Sequence, residues 1–138
     1  MAAKRAPLLF RYPGGKHYAM DILQPFWEAV PHSEYREPFA GGATVFFNKS
    51  PAENSWLNDI DSELITTYRC VANADSRAKL IQRFENEVAN PDRWREVLEF
   101  TPKSDLDIAF KYFYLNRTSF SGKLISPAWG YRPKRSLP

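Results

Sequence analysis

Two patterns of apolar residues follow one another along this chain. Short apolar runs come first and predict strands, and apolar residues at helical spacing come later and predict helices. The segments EYREPF (34–39) and NSWLNDID (54–61) mix aromatic and aliphatic residues between turn residues, which favours strands. From residue 62 onward, apolar residues recur at intervals of three and four, which is typical of amphipathic helices. The predicted helices are SELITTYRCVANA (62–74), DSRAKLIQRFENEV (75–88), NPDRWREVLEF (90–100) and SDLDIAFKYFYLNRTSF (104–120).

The N-terminal part predicts an extended piece, a turn and one further helix. PLLFRYPGGK (7–16) is expected to be extended up to its Pro-Gly-Gly turn. Residues 17 to about 30 are expected to be helical, although Pro25 predicts a break or a kink. The apolar positions of that helix are Met20, Ile22, Leu23, Phe26, Trp27 and Val30.

Residue types at the predicted helix ends indicate where several helices begin. Ser62 and Ser104 are candidate N-caps, and the Asn-Pro pair at 90–91 favours the start of another helix. GGATVFFNK (41–49) predicts a turn that opens a helix, and the chain from Gly122 onward predicts a loop.

The order of these elements predicts the fold class. Strand, glycine turn, helix, strand and helix together indicate the start of an α/β unit with a parallel sheet. Two or three strands are few for such a sheet, because parallel sheets need several members and cover on both faces.

The glycine turn after the first predicted strand is the main candidate site. Gly41 and Gly42 permit positive φ angles and a close approach of a ligand to the backbone, and a helix N-terminus offers amide hydrogens. In nucleotide-binding folds a carboxylate after the next strand binds the ribose, and Asp59 stands 18 residues beyond Gly41. The alternative is that the glycines only form a tight turn and that Asp59 caps the helix near Ser62.

The type of cofactor is narrowed by what the turn lacks. FAGGA (39–43) has no third glycine of the dinucleotide pattern and no lysine–hydroxyl pair of a phosphate loop. A cofactor that contains adenosine but no phosphate is therefore favoured.

Composition limits the class of protein without identifying it. The 43% hydrophobic and 25% charged residues are ordinary for a globular domain. No apolar run approaches the roughly 20 residues that span a bilayer, and the N-terminus lacks the apolar stretch of a secretory signal. The single cysteine, Cys70, excludes an internal disulfide and a cysteine-based metal site, so we expect a cytoplasmic protein without a membrane partner.

Positive charge is concentrated in the C-terminal part of the chain. Residues 111–138 contain six Lys and Arg and no Asp or Glu. Bases interleaved with rings that can stack or wedge favour a nucleic-acid partner, while the alternative is a solvated surface. The rings in this segment are Tyr112, Phe113, Tyr114, Phe120, Trp129 and Tyr131.

Three segments in this order resemble the N-terminal part of the Dam-type, or D12 class, DNA adenine-N6 methyltransferases. They are FRYPGGK (10–16), REPFAGGATVFF (36–47) with LNDIDSELI (57–65), and YFYLNRTSFSG (112–122). The resemblance implies an incomplete Rossmann-like, S-adenosylmethionine-dependent α/β fold acting on duplex DNA. Residues 1–72 would form the cofactor-binding part, and residues 73–138 a helical segment with the start of the target-recognition region.

The resemblance also implies residue roles on the cofactor side. Tyr12 and Lys16 would lie beside the methionine end of the cofactor, with solvent exposure of Lys16 and core packing of Tyr12 as the alternatives. Asp59 would bind the ribose hydroxyls, and Ile60 would pack on the adenine ring. The cofactor-binding turn would consist of Phe39, Ala40 and Gly41.

On the DNA side, Arg117 would contact phosphates. Phe120 and Ser121 match positions that probe or wedge the duplex, and an apolar wedge is useful because extracting a base leaves a gap in the stack. Lys123 flanks the wedge and is suited to holding the DNA backbone. The alternative for Phe120 is a buried anchor of the long helix.

The family's catalytic signature, Asp-Pro-Pro-Tyr or its Asn variant, is absent from residues 1–138. The resemblance therefore implies a truncated adenine methyltransferase that is inactive alone. Alternatives are half of a split enzyme whose second polypeptide supplies the motif, or a non-catalytic fragment that binds cofactor or DNA. A helical protein-interaction domain with an incidental glycine turn is the alternative from another class.

Overall fold

Two strands and six helices make up the described part of the chain, which is residue 6 and residues 8–131 of a computed structural model. Short 3-10 turns at Lys16–Ala19 and Phe120–Gly122 supplement them. The basic end, residues 132–138, lies outside the described residues. The elements are α1 (Met20–Glu28), β1 (Glu34–Glu37), α2 (Thr44–Asn48), β2 (Asn54–Leu57), α3 (Ser62–Ala72), α4 (Ala74–Phe84), α5 (Pro91–Glu99) and α6 (Asp105–Thr118).

The chain divides into two compact units, Met1–Ile60 and Asp61–Pro138. The first unit contains the sheet, in which β1 and β2 pair in parallel, with Glu34 opposite Asn54 and Glu37 opposite Leu57. The parallel pairing predicted from the order of elements is therefore confirmed. The second unit contains α3 to α6.

Capping residues set the starts of the helices in the second unit. The Asp61 carboxylate accepts hydrogen bonds from the amides of Glu63 and Leu64, both at 3.1 Å. The predicted cap at Ser62 is therefore wrong by one position, because Asp61 keeps an extended backbone and its carboxylate reaches both amides of the first turn. Ser104 caps α6 as predicted, through a 3.1 Å bond from the amide of Asp107.

The α1 helix continues through Pro25, so of the predicted break or kink the break is wrong, and a kink stays a prediction. Its nine residues end at Glu28, and the carbonyl of Pro25 still accepts a 3.1 Å hydrogen bond from the amide of Ala29. Proline removes one donor from a helix but keeps its acceptor, and here the remaining bonds carry the helix past it.

The core of the second unit forms around α6. Leu80 of α4 is buried as the apolar spacing predicts, whereas Ile81 and Val88 of the same spacing are 59% and 55% exposed. The buried cluster comprises Cys70, Leu80, Trp94, Val97, Ala109, Phe110, Tyr114 and Leu115.

The length and polarity of the helices in the described residues show whether any of them could cross a membrane. None of these helices combines the length and the apolar character that crossing a bilayer requires.

Candidate functional site

The glycine turn is fixed beside the end of the second strand by backbone hydrogen bonds that extend the parallel ladder. The amide of Asn58 donates to the carbonyl of Glu37 at 2.9 Å, and the amide of Ala40 donates to the carbonyl of Asn58 at 2.8 Å. Both strands therefore end at one edge of the sheet, and the residues that follow them are neighbours.

Gly41 requires its glycine for two independent reasons. Its φ of +47° lies in the left-handed region, and a Cβ there would lie 3.0 Å from the ring atoms Cδ1 and Cε1 of Tyr12. The Tyr12 ring thus packs directly on the turn, and a side chain at Gly41 would meet it.

Asp59 is oriented by the turn and not by the following helix. Its Oδ2 atom accepts a 2.8 Å hydrogen bond from the backbone amide of Gly41. Asp61, and not Asp59, caps α3, so the alternative of a capping role for Asp59 is wrong. A carboxylate has about four acceptor sites on its two oxygens, so this bond leaves Asp59 chemically able to accept further donors.

A cavity of about 140 Å³ lies against the turn and collects most of the residues predicted on the cofactor side. Tyr12, Lys16, Phe39, Ala40 and Gly41 all contribute to its wall. Phe39 is 86% exposed, and Ile60, which follows Asp59, is fully exposed. The rest of the wall consists of Pro13, Gly14, Gly15, Glu37, Gly42, Thr44 and Val45.

Glu37 is a wall residue to which the sequence patterns assigned no role. It is the last residue of β1, and its carboxylate accepts a 3.2 Å hydrogen bond from the hydroxyl of Tyr35. Burial raises the pKa of Glu37, and the Tyr35 hydroxyl, the Phe46 amide and the charge of Lys16 counteract only part of that rise. The signal that identifies it is its position, directly before the turn at the carboxyl end of a parallel strand.

The cavity therefore presents opposite charges. Lys16 supplies an ammonium group and Glu37 a carboxylate to the same wall. An α-amino acid carries one group of each sign, so this wall suits the zwitterionic end of such a molecule, with each charge facing its opposite.

The second candidate site is the loop that follows α6, residues 119–130, which is closed at its base. Ser119 and Trp129 form an antiparallel bridge. The amide of Phe120 donates to the carbonyl of Ala128 at 2.8 Å, and the amide of Gly130 donates to the carbonyl of Thr118 at 2.9 Å. These bonds hold the two ends of the loop together.

Side chains from the second unit's core hold the same base. The indole Nε1 of Trp94 donates to the hydroxyl of Ser119 at 3.1 Å, and the buried Asn116 donates to the carbonyl of Gly122 at 3.2 Å. Ser119 is fully buried. The loop is thus attached to the core at its start.

Beyond this base the loop exposes apolar side chains. Phe120 is 63% exposed and Ile125 is 89% exposed, so the alternative of Phe120 as a buried anchor is wrong. Ser121 has a φ of +54°, and Lys123 is exposed. Ile125 was not predicted, because a loop without apolar periodicity carries no signal of which residue forms its tip.

Arg117 occupies a different environment from the loop residues. It lines a cavity of about 260 Å³ whose wall excludes Phe120, Ser121 and Lys123. The predicted DNA-side residues are therefore not brought into one cluster: three lie together on the loop, and Arg117 lies in a largely apolar wall. That wall comprises Phe84, Glu87, Val88, Ala89, Phe113, Tyr114, Arg117, Thr118 and Tyr131.

Comparison with known proteins gives a consistent result. A family model described as D12 class N6 adenine-specific DNA methyltransferase matches residues 12–128. The type II methyltransferase M.CviBI of Paramecium bursaria Chlorella virus NC1A is 36% identical over 120 residues, which cover 84% of this chain and 44% of that relative.

A second relative is more distant. The type II methyltransferase M1.LlaDCHI of Lactococcus lactis subsp. cremoris is 26% identical over 123 residues, which cover 81% of this chain and 41% of that relative. The chain thus spans less than half the length of each of these two curated relatives.

Proposed function

The chain belongs to the D12 class N6 adenine-specific DNA methyltransferase family, and from that premise we propose that it forms the cofactor-binding part and the beginning of the DNA-binding part of such an enzyme. The reaction would transfer a methyl group from S-adenosylmethionine to the exocyclic nitrogen of adenine in duplex DNA. The observation that carries the proposal is the 2.8 Å hydrogen bond from the Gly41 amide to the Asp59 carboxylate, made beside the charged cavity.

The residues of the first unit fit this cofactor in both size and charge. A cavity of about 140 Å³ is smaller than the roughly 300–1,000 Å³ of complete ligand pockets. It therefore suits one end of the cofactor, with the remainder over the exposed surface that continues from Asp59 to Ile60. S-adenosylmethionine, when bound, supplies a methyl group on a positively charged sulfur.

Individual residues would then divide the binding between them. Lys16 would pair with the carboxylate of the methionine end, and Glu37 with its ammonium group. Asp59 would accept hydrogen bonds from the ribose hydroxyls while Gly41 keeps it oriented. Tyr12 would limit the depth of the cavity, because its ring packs against the turn.

The α/β arrangement is proposed to belong to a Rossmann-like sheet of which β1 and β2 are two members. We also propose a functional division near residue 72, although the packing units divide at Ile60. Functional segments and packing units need not coincide, since α3 both follows the cofactor-side strand and packs on α6.

The loop of residues 119–130 is proposed to contact the duplex. Phe120 is exposed on a loop whose base is attached to the core, which is the arrangement a wedge between stacked bases needs. Ser121 would lie beside that wedge, and Lys123 would contact a phosphate. Arg117 would reach DNA phosphates only from the wall of its cavity, apart from the other three.

Methyl transfer is not expected from these 138 residues by themselves. The family's chemistry uses an Asp-Pro-Pro-Tyr segment to bind the target amine and stack on the base, and that segment does not occur here. Cofactor binding and catalysis are therefore separable properties of this sequence.

Calorimetry with S-adenosylhomocysteine tests the proposed cofactor site. Replacing Asp59→Ala should weaken binding by about tenfold or more, since hydrogen bonds to a charged group contribute about 1.5–3 kcal/mol. The matched control is Asp92→Ala, because Asp92 is an exposed aspartate whose ion pair with Arg95 lies at the surface. Equal affinities for wild type and Asp59→Ala, or no binding by wild type, would refute the ribose-binding role.

A further inference from the structure

The α1 helix presents three distinct rows of side chains. Met20 is buried, and Leu23 and Trp27 are half-buried, so these three form the least exposed row of the helix. Gln24 and Glu28 form a polar row, joined by a 2.6 Å hydrogen bond between their side chains. An amphipathic helix needs one buried apolar side and one exposed polar side, and these two rows already provide them.

The third row is apolar and exposed. Tyr18, Ile22, Phe26 and Val30 recur every four residues, which places them on one side of the helix and its two ends. Their exposed fractions are 81%, 70%, 73% and 59%. Single exposed apolar residues are ordinary, but four aligned along one side mark an interaction surface. We call this set the apolar row.

The sheet of the same unit is incomplete as well. Its two strands are parallel, and parallel sheets occur almost only with several strands and with both faces covered. Trp56 of β2 nevertheless remains 50% exposed. The helix and the sheet of this unit therefore both expose large apolar side chains.

The lengths of the relatives indicate what that partner is. The matched regions cover 44% and 41% of the two relatives, so more than half of each methyltransferase corresponds to nothing in this chain. The family's Asp-Pro-Pro-Tyr segment, which these 138 residues do not contain, would belong to that remaining part. A polypeptide segment of that size is large enough to cover the row, and it would also cover the sheet if it added parallel strands.

A second copy of this chain fits less well. A two-fold dimer uses the same surface on both subunits, so two identical edge strands that meet across the axis run antiparallel. Such a dimer could cover the apolar row but could not extend a parallel sheet.

We propose that the apolar row of α1 is the docking surface for the part of a D12 class methyltransferase domain that carries the Asp-Pro-Pro-Tyr segment. The proposal rests on the proposed function, because the partner is defined by the enzyme to which this chain would contribute. It assigns Ile22 and Phe26 to the centre of the interface, with Tyr18 and Val30 at its ends.

Co-expression tests this docking. The full 138-residue chain is produced with an affinity-tagged polypeptide that comprises the part of the Chlorella virus M.CviBI methyltransferase outside its matched region. The two are expected to purify together in equal amounts. Phe26→Lys should lower the recovered chain at least tenfold, because the charge would be buried at the centre of the interface.

The matched control lies on the same helix. Gln24→Lys adds the same charge in the polar row, where it can pair with Glu28, and it should copurify like wild type. Circular dichroism and thermal unfolding of each free variant check folding, and Val30→Lys, beyond the end of α1, serves as a second disruptive variant.

Three results would overturn the proposal. They are equal recovery with Phe26→Lys and Gln24→Lys, no recovery of the wild-type chain with the tagged polypeptide, and a dimer of the wild-type chain alone that Phe26→Lys disrupts. Failure of the proposed function is distinguishable, since it appears as absent S-adenosylhomocysteine binding in calorimetry, whereas the docking readout is copurification without cofactor.

Discussion

At the scale of single residues, the candidate site depends on contacts that lie close together in space and far apart in sequence. Gly41 and Asp59 are hydrogen-bonded across 18 residues, and Tyr12 packs on Gly41. The sequence predicted that each of these residues matters. It could not predict that Asp59 would bind the turn itself, because that bond depends on the parallel register of β1 and β2.

Gly41→Ala is expected to lower the free energy of unfolding by about 1–3 kcal/mol, through left-handed strain and the Tyr12 contact together. Urea unfolding measures the loss. Gly14→Ala is the matched control, because Gly14 has a φ of +76° but a Cβ added there would have no atom within 4 Å. It should therefore show the backbone strain alone.

The double variant Tyr12→Ala/Gly41→Ala separates the two contributions. Without the Tyr12 ring, the added methyl group at position 41 meets no clash. The double variant should therefore lose less stability than the sum of the two single losses. Simple additivity of the two losses would contradict the packing of Tyr12 on the turn.

Glu37 gives a pH-dependent prediction. Its pKa is raised by burial, so the native state binds more protons than the unfolded state between the ordinary Glu value, about 4.3, and the raised value. The stability contributed by protonated Glu37 is therefore fully present below the ordinary value and is lost as pH rises through the raised one.

Glu37→Gln should remove this loss, since glutamine keeps an acceptor for Tyr35 and cannot ionise. Urea unfolding at a series of pH values is expected to show the variant gaining stability relative to wild type as pH rises above the ordinary Glu value of about 4.3. A difference that is constant over this range would show that Glu37 titrates normally. Glu34→Gln, a more exposed position on the same strand, is the control.

At the scale of elements, local signals predicted most of the helices and failed at one cap and at Pro25. Ser104 caps α6 and Asn90 caps α5, because a cap depends on residues within one turn. The cap of α3 differed by one residue, since Asp61 and Ser62 are both good capping residues and the backbone decides between them. Pro25 did not break α1, because the helix tolerates the loss of one donor.

The loop of residues 119–130 provides a prediction at this scale. A Cβ at Gly130 would lie 2.5 Å from the Cα of Phe120, so Gly130→Ala must separate the two sides of the base. The amides of Phe120 and Gly130, which are hydrogen-bonded in the closed base, should then exchange with deuterium at least tenfold faster.

Ser126→Gly is the control within the loop. Ser126 has a φ of +47°, so glycine relieves local strain there without crowding the base, and the exchange of both base amides should be unchanged. Unaltered exchange in Gly130→Ala would show that the base does not depend on this close approach.

At the scale of the whole molecule, the sequence predicted the class of fold but not which apolar side chains stay exposed. Parallel pairing followed from the order of elements and is confirmed. The exposure of Ile22 and Phe26 did not follow, because helical spacing identifies an apolar side without revealing whether this chain contains what covers it.

Duplex affinity and activity belong to this scale, because both are properties of the whole chain. Wild-type chain should bind unmethylated duplex with an affinity that falls steeply with salt. Lys123→Gln should reduce the slope of log affinity against log salt by about one phosphate contact, whereas Lys79→Gln, on exposed α4 surface, should not.

Binding that is independent of salt would refute a phosphate-contacting surface. In a separate assay, methyl transfer by this chain alone would refute the need for an Asp-Pro-Pro-Tyr segment.

The bond between the Gly41 amide and Asp59 has a thermodynamic consequence for whatever molecule approaches that carboxylate. That bond already restrains the side chain in the folded chain, so less rotational freedom remains to be lost on an encounter. Fixing a side chain on association costs about 0.5–1.5 kcal/mol. We therefore expect a molecule that binds at Asp59 to avoid part of that penalty.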